Sequence, residues 1–119
     1  MKLIQSQQIE AVHVFTVNGN IEDVKNSVNK YFIDNGYKLE SGTTESGEYG
    51  IGNDILRILL GAMVKRYKFG ITIRPNHEYI QVDLSKAMTG VSGGAIGYAK
   101  LNSEFEKVKK ELDLILNQD

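Results

Sequence analysis

The segment Lys65–Ser85, with the sequence KRYKFGITIRPNHEYIQVDLS, decides the fold of this chain. Apolar residues occupy every second position in each half of it: Tyr67, Phe69, Ile71 and Ile73, then Ile80, Val82 and Leu84. This period of two is typical of a strand with one buried face. Between the halves, Pro75-Asn76-His77 predicts a turn. The segment therefore predicts a β-hairpin.

Upstream of the hairpin, the chain predicts one strand and one helix. Residues 11–17 alternate and are rich in β-branched side chains, which favours a strand. A helix of about 21–35 follows, with Asn20 as its N-cap and Asn35-Gly36 as its stop signal. Residues 1–10 carry no comparable pattern, and we interpret them as a flexible N-terminal segment.

Three further segments complete the secondary structure. Residues 37–50 are polar and rich in glycine, and they predict either one long strand or a hairpin. Apolar residues surround a short helix of about 54–63 on nearly all sides, so we expect much of it to be buried. The final helix covers about 98–116, although a capping box at Ser103 allows a later start.

The order of these elements predicts one α+β domain over residues 1–119. Its sheet is mainly antiparallel with four or five strands, and the helices of about 21–35, 54–63 and 98–116 cover one face. Antiparallel sheets leave open edges, and pairing across such an edge predicts a homodimer.

Composition limits the classes of function. The chain has 119 residues, of which 41% are hydrophobic and 24% charged, as in an ordinary globular domain. It has no cysteine and two histidines, so thiolate or histidine-rich metal sites are excluded and we expect no metal or cofactor. The first residues lack the apolar core of a signal peptide, and no apolar run is long enough to span a bilayer. We therefore expect a cytoplasmic protein with no membrane partner.

The charge pattern supports two interpretations. Five basic residues and no acid lie between Ile55 and His77, whereas five acids and one lysine lie between Asp34 and Asp54. Complementary strands of this kind predict cross-strand ion pairs. The alternative is an anion-binding module on the basic strand 65–74 and the Gly-rich joint 90–97, which would take phosphate, a nucleotide or a nucleic-acid backbone. Its candidate residues are Arg66, Lys68, Arg74, Gly93 and Gly94. The net charge of −1 makes nucleic acid the least favoured of these ligands.

An enzyme is the third interpretation. Gly90-Val91-Ser92-Gly93-Gly94 matches the G-x-S-x-G pattern of a nucleophile elbow, which would make Ser92 the nucleophile of a small hydrolase. In that fold the histidine follows the serine, and no histidine follows Ser92. We therefore assign no catalytic residue. The sequence favours a non-enzymatic binding or self-association module.

Overall fold

In the part of the chain that the structure describes, the strands form one antiparallel sheet and two helices pack on it. The computed structural model describes residues 1–52, 67–87 and 94–118. The strands are β1 (Lys2–Ile9), β2 (Val12–Asn18), β3 (Lys38–Gly42), β4 (Ser46–Ile51), β5 (Tyr67–Asn76) and β6 (Tyr79–Lys86). The helices are α1 (Ile21–Asp34) and α2 (Gly94–Ile115). The strand order in the sheet is β1-β2-β6-β5-β4-β3.

The predicted hairpin is confirmed, and it forms the centre of the sheet as β5 and β6. Its alternating apolar residues lie on the face that packs against the helices, which we call the inner face. Phe69, Val82 and Leu84 are fully buried there. The turn itself consists of His77 and Glu78, because Pro75 and Asn76 still pair with β6.

The α+β class and the antiparallel sheet are confirmed, but the sheet has six strands rather than four or five. One unexpected strand is β1, which lies in the segment interpreted as flexible. Its alternation escapes notice because Ser6 and Gln8, which share a face with the buried Phe15 and His13 opposite them, are polar. Residues 37–50 form the hairpin of the two predicted alternatives, which gives five strands, and β1 is the sixth.

The hairpin of β3 and β4 turns at residues 43–45. Gly42 has a φ of +77°, and an added Cβ there would lie 2.3 Å from the Ser46 carbonyl oxygen. Glycine is thus required where the two strands come closest. The Thr43 hydroxyl accepts hydrogen bonds from the amides of Glu45 and Ser46 and so closes the turn.

The helix α1 begins and ends where the sequence predicts. The Asn20 side chain accepts hydrogen bonds from the amides of Glu22 and Asp23, as an N-cap does. By contrast, α2 begins at Gly94, four positions before the predicted start at Tyr98. Gly94 and Gly97 have low helix propensity, and the apolar repeat used to predict the helix begins only after them, so the predicted start was too late. The predicted helix of about 54–63 lies outside the described residues. Within the described part of the chain, no helix has the length and apolar character needed to cross a membrane.

Both helices pack on the inner face and enclose one core. From α2, the buried side chains are Leu101, Phe105, Val108 and Leu112. Much of the core is aromatic, and we call these six residues the aromatic cluster: Tyr31, Phe32, Tyr37, Tyr49, Phe69 and Phe105. Within it, Phe32 stacks on Tyr49 with ring centroids 4.5 Å apart. The hydroxyls of Tyr31 and Tyr37 donate to Glu111 and Glu104 of α2, which fixes the helix against the cluster.

Candidate functional site

At one end of the sheet the inner face is polar instead of apolar. Gln8 lies opposite His13, and Lys86 lies opposite the buried Phe69, so all of these side chains share the inner face. The adjoining side of α2 is polar as well. We call the following eight residues the polar corner: Ser6, Gln8, His13, Lys86, Asn102, Glu106, Lys109 and Asp113. Of these residues His13 is buried, Gln8 and Glu106 are exposed, and the others are half-buried. A polar side chain that a helix covers needs a reason other than core packing, because burying a polar group costs free energy.

Lys86 is the most unusual member of the polar corner. It continues the inner-face series of Val82 and Leu84, where an apolar residue is expected. Its ammonium donates to Asn102 Oδ1 at 2.7 Å. Among the described residues it has no carboxylate within salt-bridge distance. No acidic side chain in the described ranges therefore neutralises the positive charge of Lys86.

An aromatic ring lies beside two ammonium groups at this site. The Nζ atoms of Lys86 and Lys109 are 5.3 Å and 5.4 Å from the centroid of the Phe105 ring. Lys86 is also 5.5 Å from the centroid of Tyr98. Distances of this size favour cation–π attraction, which compensates in part for the desolvation of each ammonium. Lys109 differs from Lys86 in having a salt bridge of 2.6 Å to Glu106.

These groups line a cleft of about 380 Å³ between α2 and the sheet. We call it the lysine cleft, and its lining residues are Gln8, Lys86, Asn102, Phe105, Glu106 and Lys109. Two lysines and one glutamate give the lining a net charge of +1. The volume is within the range of small-molecule sites. The lysine cleft can thus offer ammonium and amide donors to a small anion, with the Phe105 ring as an apolar surface.

Two other hollows, one larger and one smaller than the lysine cleft, have a different character. One of about 610 Å³ lies along the solvent side of α2 and is lined by exposed, charged side chains such as Lys107 and Lys110. On the outer face of the sheet, a hollow of about 250 Å³ is lined by Ser41, Glu48 and Ser85 among others. Glu48 there already forms a salt bridge with Lys68. Neither hollow contains an inward-facing charge like that of Lys86.

Behind the lysine cleft, His13 joins a chain of hydrogen bonds. It is only 8% exposed, and its Nε2 is 2.6 Å from Ser6 Oγ. Ser6 Oγ also donates to Asp113 Oδ1 at 2.6 Å. On the other side of the ring, Nδ1 is 3.3 Å from Gln8 Oε1. Burial and the nearby Lys109 lower the pKa of His13 below its ordinary value, and Asp113 and Glu106 oppose this shift.

The anion site predicted from the sequence is only partly described by the structure. Lys68 lies on the outer face of β5, 3.3 Å from Glu48 and 3.9 Å from Glu40. Arg74, on the same strand, is 3.8 Å from Asp83. These ion pairs match the cross-strand interpretation, since Glu48 and Asp83 belong to the strands on either side.

The remaining residues of that predicted site are Arg66, Gly93 and Gly94. Arg66 and Gly93 lie outside the described residues, as does Ser92 of the alternative hydrolase. Gly94 is the first residue of α2. Anion binding by this set therefore stays a prediction, although Lys68 and Arg74 point away from the face that α2 covers.

Sequence reasoning missed the lysine cleft, although two signals were present. Lys86 falls in step with Ile80, Val82 and Leu84, and His13 falls in step with Phe15. A charged or titratable residue at a core-facing position of a strand is such a signal. The residues of α2 that line the site gave no such signal. Lysines and acids alternate along the whole helix, which is the pattern of a solvent-exposed face.

Comparison with known proteins does not name the site. No family model matches the chain, and no curated protein has significant sequence similarity to it. In the described part of the chain, no three His, Asp or Glu side chains lie close enough together to hold a metal ion.

Proposed function

We propose that this domain is a non-enzymatic binding module that takes a small monoanionic ligand in the lysine cleft. The observation that carries the proposal is Lys86, an inward-facing ammonium with no acidic partner among the described residues. Lys86 is half-buried, and withdrawing an ammonium from water even in part costs free energy that a charged partner offsets. A carboxylate or similar group bound beside Asn102 supplies that partner.

The lining of the cleft indicates which anion fits. Its net charge of +1 matches one negative charge. The Phe105 ring offers a surface for an apolar or aromatic body, while the amides of Gln8 and Asn102 give directional hydrogen bonds. An organic acid with a single carboxylate and a small ring meets all three conditions. Benzoate is the simplest probe of this class.

Titration of the protein with benzoate, followed by amide NMR, tests the proposal. We expect saturable shifts centred on Gln8, Asn102 and Phe105, and no saturation with the neutral isostere benzamide. Lys86→Met keeps the alkyl stem and removes the charge, so it is expected to weaken benzoate binding about 10- to 100-fold. Lys38→Met, a matched change at an exposed position of β3, is expected to leave binding unchanged.

Two results would overturn this function. One is wild-type protein that shows no saturable shifts with benzoate at low salt. The other is Lys86→Met protein that binds benzoate as tightly as the wild type does. Shifts centred on Lys68 and Arg74 would instead support the anion site predicted on the outer face.

Self-association is a second candidate function, favoured by the free edge of β1. In the described sheet β1 is an edge strand of eight residues, and Lys2 is its one charged side chain. Ile4 and Ile9 are 47% and 49% exposed. Residues 3–9 carry no charge, so two copies of β1 can pair antiparallel without repulsion between like charges. The proposed partner is therefore a second copy of this chain.

Sedimentation at micromolar concentration tests that candidate. We expect a species of twice the 13.3 kDa chain mass. Ile4→Lys places a charge on the edge and is expected to give monomer, whereas Ile33→Lys, at an equally exposed position of α1, is expected to keep the dimer. Wild-type protein that sediments only as a monomer contradicts the dimer.

A further inference from the structure

The hydrogen bonds around His13 determine where its protons lie. The Asp113 carboxylate can only accept, so the single hydroxyl proton of Ser6 is directed to it. Ser6 Oγ must then accept from His13, and the Nε2 atom, 2.6 Å away, carries a proton. The neutral ring consequently has its unprotonated nitrogen at Nδ1.

That unprotonated nitrogen faces another acceptor. The amide nitrogen of Gln8 donates to the Glu10 carbonyl at 2.9 Å, which fixes the orientation of the amide. Gln8 Oε1 therefore points to His13 Nδ1, at 3.3 Å. With a neutral ring, two lone pairs oppose each other. With a protonated ring, Nδ1 donates to Gln8 and each of the ring's hydrogen bonds has a donor and an acceptor.

The same oxygen atom connects His13 with the lysine cleft. Lys109 Nζ donates to Gln8 Oε1 at 3.3 Å, and both residues line the cleft. A protonated His13 binds this oxygen more strongly and repels the Lys109 ammonium. Lys109 can then turn toward the open cleft, where Glu106 and the Phe105 ring are its remaining partners.

In the described structure, the charged groups that shift the pKa of His13 all lie on α2. The neighbouring strand β6 also carries Lys86 on the inner face, two residues beyond the position opposite His13. On α2, Lys109 disfavours the protonated ring, and Asp113 and Glu106 favour it. The strand on one side, β1, contributes the neutral Ser6 and Gln8. On the other side β6 places the apolar Leu84 opposite His13, and within β2 the ring packs edge-on against Phe15 at 4.7 Å. No other titratable group is needed to account for a change at Lys109.

We propose that His13 is a proton sensor for the lysine cleft. Protonation transfers Gln8 Oε1 from Lys109 to the imidazolium ring, frees Lys109 for the bound anion, and adds a positive charge behind the cleft. Anion affinity therefore rises as the pH falls. This inference rests on the proposed function, because it assigns a regulator to the same cleft.

Benzoate titrations between about pH 8 and about pH 5.5 test the sensor, since the probe remains an anion throughout that range. We expect affinity to increase about two- to tenfold toward the lower pH, the size expected for one added charge near a partly exposed site. His13→Gln cannot titrate, so its affinity is expected to be independent of pH. His77→Gln, a control at the exposed turn, is expected to retain the wild-type dependence.

A second measurement needs neither a ligand nor a variant. Nitrogen NMR of the histidine rings is expected to show neutral His13 protonated at Nε2, with Nδ1 gaining the second proton as the pH falls. Binding that does not vary with pH, or a neutral ring protonated at Nδ1, would refute the sensor and leave the proposed function intact. An absence of benzoate binding at every pH refutes the function, and the sensor with it.

Discussion

The aromatic cluster and the polar corner are neighbouring regions of the same inner face, and α2 covers both. They meet where Lys86 lies opposite Phe69 and beside the Phe105 ring. In the aromatic cluster, fully buried rings stack on one another, as Phe32 does on Tyr49. In the polar corner the same helix lies over the buried His13 and the half-buried Lys86, polar side chains that cost free energy to withdraw from water. We infer from this difference that the aromatic cluster stabilises the fold, whereas the polar corner lowers the stability that an apolar packing there would give. Residues that are expensive to bury, in a cleft that is still open, are typical of a binding site.

The largest loss of stability is expected when a ring is removed from the aromatic cluster. Phe32→Ala is expected to lower the free energy of unfolding by about 3–5 kcal/mol, because it deletes a fully buried ring that contacts Tyr37 and Tyr49. Urea denaturation measures the change. Ile33→Ala, at the next and exposed position of α1, serves as the control and is expected to cost less than about 1 kcal/mol. A similar loss in both variants would mean that the cluster does not dominate stability.

A smaller loss is expected within the polar corner. Ser6→Ala leaves the Nε2–H group of His13 and the carboxylate of Asp113 without their shared partner, at a cost of about 1–3 kcal/mol. The same denaturation experiment measures it. Ser103→Ala, at an exposed position of α2, is expected to change stability by less than about 0.5 kcal/mol. If Ser6→Ala also changes the unfolding free energy by less than about 0.5 kcal/mol, the hydrogen bonds of Ser6 do not stabilise the fold.

The pH dependence of the unfolding free energy tests the contribution of His13 in the polar corner. The pKa of His13 is lower in the folded protein than its ordinary value of 6.5, so the unfolded chain binds the proton more readily. Stability is therefore expected to decrease as the pH falls from about 6.5 through the folded-state pKa. His13→Gln removes this contribution and His77→Gln does not. Equal slopes of unfolding free energy against pH in wild-type and His13→Gln protein contradict it.

The smallest effect on stability is expected at the residue most important for binding. Lys86→Met replaces an ammonium lacking an acidic partner with an apolar side chain of similar length, so we expect unfolding free energy to change by less than about 0.5 kcal/mol or to increase. The Lys38→Met control is expected to have no effect. A loss above about 1 kcal/mol would assign Lys86 a structural role in place of the proposed one.

Local patterns in the sequence predict the centre of the sheet and α1, because each depends on neighbouring residues. Alternation from Tyr67 to Leu84 gives the hairpin, and Asn20 gives the start of α1. The polar corner could not be predicted in this way. Its bonds join residues far apart in the chain, such as Gln8 with Lys109 and Ser6 with Asp113. The strand β1 could not be predicted for the same reason. Two of its inward side chains, Ser6 and Gln8, contact polar groups of α2 such as Asp113 and Lys109 and not the apolar core.

The order of strands in the sheet has a consequence for folding kinetics. Every pairing joins strands that are consecutive in the chain, except that of β2 with β6, where Val17 lies opposite Ile80. Forming it closes a loop of about 60 residues, which costs entropy that the local hairpins do not. The hairpins are therefore expected to form early and the β2–β6 pairing late. This pairing brings Gln8 and Lys86 to the same cleft, so a chain can complete most of its sheet before the lysine cleft exists.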